Sequence, residues 1–149
     1  MDSESDSLLL DAMLGKLARY LRMCGHDAAY VLDDGVEADD DVLAMARDED
    51  RTLVTRDAQL AGRAADAVLV ETKDVEGQLR ELRAAGLDLS LTEPARCSTC
   101  NGRLEETEGP TPEGVPDPDE RRVWRCRSCG QHFWKGSHWD DVAETLAEL

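Results

Sequence analysis

As far as about Leu91, apolar residues in this chain alternate between two spacings. Leu8-Leu9-Leu10 is a short run closed by Asp11, as a buried strand would be. Met13, Leu14, Leu17, Tyr20, Leu21 and Cys24 then recur at three- and four-residue steps, and Gly25 stands where a helix ends. Ala28 to Val31 predicts a second strand, which leads through the acidic loop Leu32 to Ala38. A helix beginning near Asp39 follows, with Val42, Leu43, Met45 and Ala46 on its buried side. Thr52 to Thr55 predicts a third strand, Ala58 to Ala64 a short helix, and Ala67 to Val70 a fourth strand. Val75 to Ala85 predicts an amphipathic helix closed by Gly86. Strands and helices taking turns in this way predict an α/β fold, a parallel sheet covered by helices on both faces.

Beyond Leu91 the pattern lapses. From Pro94 to Trp134 the chain is rich in Gly, Pro and charge and poor in aliphatic residues, so it needs a cross-link to offset the entropy of ordering its backbone. Two Cys-x-x-Cys pairs, Cys97/Cys100 and Cys126/Cys129, supply one: four thiolates at that spacing close a tetrahedral zinc site. Two disulfides or four unligated thiols are the alternatives, disulfides suiting a small secreted domain. The separation of the pairs is longer than usual for a ribbon, and the excess is a Pro-rich loop, Gly109 to Pro118. A four-thiolate site has no open position for water or substrate, which makes the zinc structural. Trp139, Val142, Ala143 and Leu146 predict a last helix, with Ser137 and Asp140 placed like a capping box. The expected organisation is an acidic disordered tail (1–7), an α/β domain (8–92), a zinc ribbon (93–136) and a terminal helix (137–149).

Net charge complicates the picture. At −16 the chain should repel nucleic acid, whose binding comes largely from phosphate neutralisation. Yet its 17 basic residues divide into three Lys and fourteen Arg, beside abundant Asp, a balance resembling proteins of salt-loving microbes. Concentrated salt shortens the Debye length and leaves only local contacts to matter. No stretch approaches a membrane span and the N-terminus is acidic where a signal peptide would be basic, so a cytoplasmic protein is expected.

Three acids fall at junctions between strand and helix: Asp11 after the first strand, Asp39 after the loop beyond the second, and Asp57 at the end of Leu53-Val-Thr-Arg-Asp57. In a parallel sheet such junctions share the carboxyl edge, where open α/β folds place ligands. Convergent carboxylates repel one another, and an oxygen-preferring divalent cation, Mg²⁺ or Mn²⁺, relieves that cost. Each Asp could instead simply cap the next helix. Lys16, Arg19 and Arg22 form a basic stripe at three-residue steps, and Arg56 adds a cation beside Asp57. Their partners are either phosphate or the nearby acidic loop. Acids that hold a metal beside bases that hold phosphate describe a metal-dependent phosphodiesterase site.

The segments Leu10 to Arg22, Asp39-Asp-Asp-Val-Leu43 and Leu53 to Asp57, followed by a four-cysteine ribbon and Trp134-Lys-Gly-Ser-His-Trp139, resemble the Mut-seven C-terminal RNase domain family, a branch of the PIN-like nucleases. The resemblance implies a ribonuclease with Asp11, Asp39 and Asp57 in the acidic metal positions, Thr55 in a Thr-x-Asp motif, zinc on the cysteines, and RNA as substrate. Lys16, Arg19, Arg22 and Arg56 would steady the scissile phosphate. Many PIN nucleases carry a further acid soon after the Thr-x-Asp motif, whereas Ala58, Gln59, Leu60 and Ala61 follow here, so one metal is expected to be held firmly and a second weakly or not at all. The competing reading is a non-catalytic adaptor that binds RNA, or a protein partner through the ribbon. Trp124, Phe133 and Trp134 flank the second cysteine pair, either as a small ribbon core or as surfaces for stacked bases.

Overall fold

The structure, a computed structural model, describes residues 7–149. The expected tail lies outside the described residues except for Ser7, which opens the first strand. Four parallel strands, β1 (Ser7–Leu10), β2 (Asp27–Tyr30), β3 (Thr52–Thr55) and β4 (Ala67–Leu69), form one sheet in the order β2-β1-β3-β4. Helices α1 (Gly15–Met23), α2 (Asp39–Asp48), α3 (Ala58–Arg63) and α4 (Val75–Ala84) connect and follow them. The α/β class and the parallel sheet are as the alternating pattern predicts.

Each face of the sheet has its own core, which is why the strands read as continuous apolar runs rather than alternating ones. Leu8, Leu10 and Val54 pack with Leu14 at the N-cap of α1, Leu17 and Leu21 of α1, and Leu79 and Leu82 of α4. Leu9 and Leu53 point the other way, into Val42, Ala46 and Leu60 of α2 and α3. A last helix, α5 (Ser137–Ala147), returns to the first of these cores through Val142 and Leu146. The chain thus leaves the sheet domain for the ribbon and comes back to it.

Three local expectations are corrected. Met13 is outside α1 and 83 % exposed, with φ of 76°, because the loop after Asp11 turns through the left-handed region before the helix begins. Val31 leaves β2 and opens a 3-10 turn, Val31–Asp34. The capping box at α5 does not form: Gly136 is the N-cap, Ser137 is already helical, and no side chain caps the helix.

The ribbon is a three-stranded antiparallel sheet, β5 (Leu104–Thr107), β6 (Val123–Cys126) and β7 (His132–Phe133). It docks on β2, an outer strand of the parallel sheet, whose unpaired backbone groups would otherwise offer a template for association. The Ala28 amide donates to Asn101 Oδ1 at 3.0 Å, and the Ala28 carbonyl accepts from Arg22 Nε at 2.8 Å. Asn101 Nδ2 also donates to Asp27 Oδ1 at 2.8 Å. No helix among the described residues is long and apolar enough to cross a membrane.

Candidate functional site

The strand order places the acids. The connection from β1 runs outward to β2, and the next crosses back over β1 to β3, so the chain switches direction between β1 and β3. The crevice at the carboxyl ends of such a pair is where open α/β sheets take ligands. Leu10 is in register with Val54, which brings the next residues, Asp11 and Thr55, side by side at that crevice. The buried Thr55 hydroxyl donates to Asp11 Oδ2 at 2.6 Å and accepts the Asp57 amide at 3.0 Å. One hydroxyl therefore ties the two acidic positions together. Asp11 Oδ1 accepts the Ala12 amide at 2.8 Å.

Capping accounts for one acid of the three. Asp57 Oδ1 accepts the amides of Gln59 and Leu60 at the start of α3, at 2.9 and 3.2 Å, and its other oxygen makes no hydrogen bond among the described residues. Leu14 and Ala38, not acids, occupy the N-caps of α1 and α2. Asp39 opens α2, exposed and without a hydrogen-bond partner among the described residues, while the next residue, Asp40, pairs with Arg63 at 2.6 Å. The donor set is all oxygen, as Mg²⁺ or Mn²⁺ prefers. The three carboxylates are not gathered into one cluster of ligand atoms; among the described residues that closeness belongs to the four thiols alone.

The basic residues divide. Lys16 and Arg19 are exposed on α1 and engage no carboxylate or other hydrogen-bond partner among the described residues, notable in a chain with 33 acids. The first turn of α1 also has no acidic residue and no side-chain cap. Arg22 overturns its expected phosphate role. It is 3 % exposed, and besides Ala28 its guanidinium donates to the carbonyls of Ser98 (3.0 Å) and Thr99 (3.3 Å) and to Asp33 (3.3 Å). Arg22 is a tether between α1, β2 and the first cysteine turn, with four of its five N–H donors engaged there. Arg56 is exposed beside Asp57; at Glu81 burial is outweighed by hydrogen bonds from Glu71 and Thr72, with a smaller contribution from the Arg56 charge, so that carboxyl lies below its ordinary range.

The cysteines form two matching turns. Asn101 donates its amide to the Cys97 carbonyl and Gly130 to that of Cys126; the Cys97 amide reaches Gly102 and the Cys126 amide reaches Gln131. Asn101 and Gly130 both take positive φ, 70° and 81°, to close these turns. All four sulfurs lie within 4.8 Å of one another, with Cys97···Cys129 at 3.7 Å and Cys100···Cys126 at 3.5 Å. Four Zn–S bonds of about 2.3 Å in a tetrahedron require sulfur separations of about 3.8 Å, so the set fits zinc. Burial pushes the Cys97 thiol up to about 12; at Cys126 burial is outweighed by the amides of Cys129 and Ser128 and by neighbouring thiols, which bring it to about 7. A Cβ at Gly102 would stand 2.8 Å from Cys126 Sγ, so the turn needs glycine there.

A family model described as the Mut7-C RNAse domain matches residues 6–146, a span that takes in the acidic edge, the cysteine turns and nearly all of α5. The chain belongs to the Mut7-C RNAse domain family. No curated protein and no solved structure matches it. In this Mut7-C chain the four-cysteine cluster is a site that fits zinc, and the sheet that carries the acids is the parallel one the family resemblance implies. The role of Arg22 and the exposed, left-handed Met13 beside Asp11 had no signal in the sequence: both depend on what the folded chain brings near. Among the flanking aromatics, Trp124 is buried in the ribbon under Arg122, whereas Phe133 and Trp134 line a cavity.

Proposed function

We propose that this chain is a ribonuclease that hydrolyses RNA phosphodiester bonds at the carboxyl edge of its parallel sheet, with Asp11, Asp39 and Asp57 holding Mg²⁺ or Mn²⁺. The observation that carries the reading is the Thr55 bridge between Asp11 and Asp57 at the switch point of a sheet from an RNase-domain family. Capping leaves the Asp11 carboxylate unexplained, and a threonine that fixes its orientation is what a ligand carboxylate needs. When bound, the cation would polarise the phosphodiester and lower the pKa of a water nucleophile. The rest falls to the protein. Thr55 holds Asp11 in place, Asp57 keeps one oxygen free of hydrogen bonds among the described residues, and Asp39 offers an uncommitted carboxylate from α2. Lys16 and Arg19 meet the phosphates, along with the first turn of α1, whose amides have no side-chain cap among the described residues, and Arg56 stands beside Asp57.

Zinc on Cys97, Cys100, Cys126 and Cys129 has a structural role in this reading: it orders the ribbon that covers β2 and leaves a ribbon surface for RNA or a protein partner. Four cysteines kept as thiolate ligands for zinc suit a reducing compartment, in keeping with a cytoplasmic protein. Concentrated salt, with a Debye length of about 3 Å at 1 M, would keep a net charge of −16 from repelling RNA. The test is to incubate the zinc-loaded protein in high salt with labelled single-stranded and structured RNAs, without and with added Mn²⁺ or Mg²⁺. Cleavage that appears only with the cation is expected. Binding without cleavage in either condition would favour the adaptor instead.

A further inference from the structure

A cavity of about 350 Å³ opens where the ribbon, α1 and the start of α5 meet. Its walls include Phe133, Trp134 and Trp139, with His132, Arg19 and Arg96. Not one carboxylate lines it, in a chain where 33 of 149 residues are Asp or Glu. Three aromatic side chains on one small cavity are also unexpected where aromatics make up 4 % of residues. The rings are held in place: Lys135 Nζ lies 5.4 Å from the Trp139 ring centroid, and Gly136 makes room for Trp134, since a Cβ there would stand 2.8 Å from Trp134 Nε1. Arg96 is tied to the Asn101 carbonyl at 3.1 Å and to Asp27 at 3.7 Å, so it shapes the wall. Arg19 is uncommitted.

Arg19 also lines a second cavity of about 430 Å³, with Gly15, Lys16, Tyr30 and the ion pair of Arg22 with Asp33, the one carboxylate there, and Thr99 borders both cavities. The two therefore adjoin along the exposed side of α1. That helix begins just after Asp11, and Lys16 and Arg19 are about 4.5 Å apart along its axis. A single strand whose phosphates follow Lys16 and Arg19 away from the acidic edge arrives at the aromatic cavity.

We propose that this cavity takes one unpaired base of single-stranded RNA, stacked on Trp134 and Trp139, while Arg19 holds the phosphate between that base and the acidic edge. The size is at the small end of ligand sites, suited to one nucleotide rather than a duplex. Stacking on aromatic rings supplies the affinity that phosphate contacts cannot in concentrated salt, and it is tolerant of sequence. The choice of RNA rests on the ribonuclease reading; the cavity itself does not.

The test uses the zinc-loaded full chain without added Mg²⁺ or Mn²⁺, titrated with a five-nucleotide oligoriboadenylate and with its abasic counterpart, following tryptophan fluorescence. The adenylate should quench emission to saturation, and the abasic oligomer should bind about ten- to a hundredfold more weakly. Trp139→Leu should weaken adenylate binding to a similar degree. Arg19→Ala, at an exposed position that leaves packing intact, should weaken both oligomers. Equal binding of the two oligomers, or undiminished adenylate binding by Arg19→Ala and by a folded Trp139→Leu, overturns the proposal. Quenching as described without any RNA cleavage once Mn²⁺ is added would sink the ribonuclease reading and leave the cavity standing; cleavage with equal binding of the two oligomers would do the reverse.

Discussion

Arg22→Met separates a tether from a phosphate contact. Methionine keeps the apolar stem and removes every donor, so the loss is confined to hydrogen bonds. The Ala28 carbonyl, in a residue with no exposed surface, would be left without its 2.8 Å partner, at a cost of about 1–3 kcal/mol. The contacts to Ser98 and Thr99 are only partly buried and add about 0.5–1.5 kcal/mol for the better of the two; the contact to the half-exposed Asp33 adds little. A total of about 3 kcal/mol, at about 2–4 °C per kcal/mol for a chain of this size, lowers Tm by about 6–12 °C. The assay is thermal unfolding of zinc-loaded protein followed by circular dichroism, with zinc content measured on both proteins. An unchanged Tm together with weakened RNA binding would refute the tether and return Arg22 to the substrate.

Three more outcomes are expected. Thr55→Val keeps the shape and removes the hydroxyl that positions Asp11, so metal-dependent cleavage should fall about tenfold or more in kcat with KM nearly unchanged; a change in KM alone would contradict the positioning role. Removal of zinc should abolish the near-ultraviolet signal of Trp124 and expose β2, raising light scattering, while much of the far-ultraviolet helix signal persists; a near-ultraviolet spectrum unchanged after metal analysis confirms zinc loss would contradict it. Burial of Asp27 is outweighed by hydrogen bonds from Asn101 and Arg51 and by the charges of Arg51 and Arg96, which together hold its carboxyl below the ordinary aspartate range. Its contribution is therefore fully present above about pH 4 and lost as pH falls through the lowered value, and Asp27→Asn should flatten the acid limb of a stability-versus-pH curve.

The elements were legible where apolar spacing determined them. Leu8 to Leu10 and Thr52 to Thr55 are short apolar runs fit for buried strands, and their alternation with helices favours the parallel sheet that forms. The two cysteine pairs were legible because thiolate spacing specifies a metal site without reference to the rest of the fold. Met13 stands at helical spacing, yet an apolar residue there carries no sign of a backbone turned through positive φ. Ser137 and Asp140 match the spacing of a capping box, but Gly136 is the N-cap, at a position where a Cβ would stand 2.8 Å from Trp134 Nε1. Arg22 looked like one member of a basic stripe; its burial arises only when the ribbon docks, a contact between residues 76 positions apart. The Thr55 bridge likewise needs the register of β1 and β3, which no local pattern encodes.

Asp11→Asn tests the central claim most directly. Wild type and variant, purified alike and checked for equal zinc content and Tm, are incubated with labelled single-stranded RNA in high salt with Mn²⁺. Wild-type protein should cut the RNA and the variant should do so at least about a hundredfold more slowly, since the amide keeps the shape and loses the charge that holds the cation. Equal cleavage by the two proteins would contradict the assignment of the acidic edge as the active site.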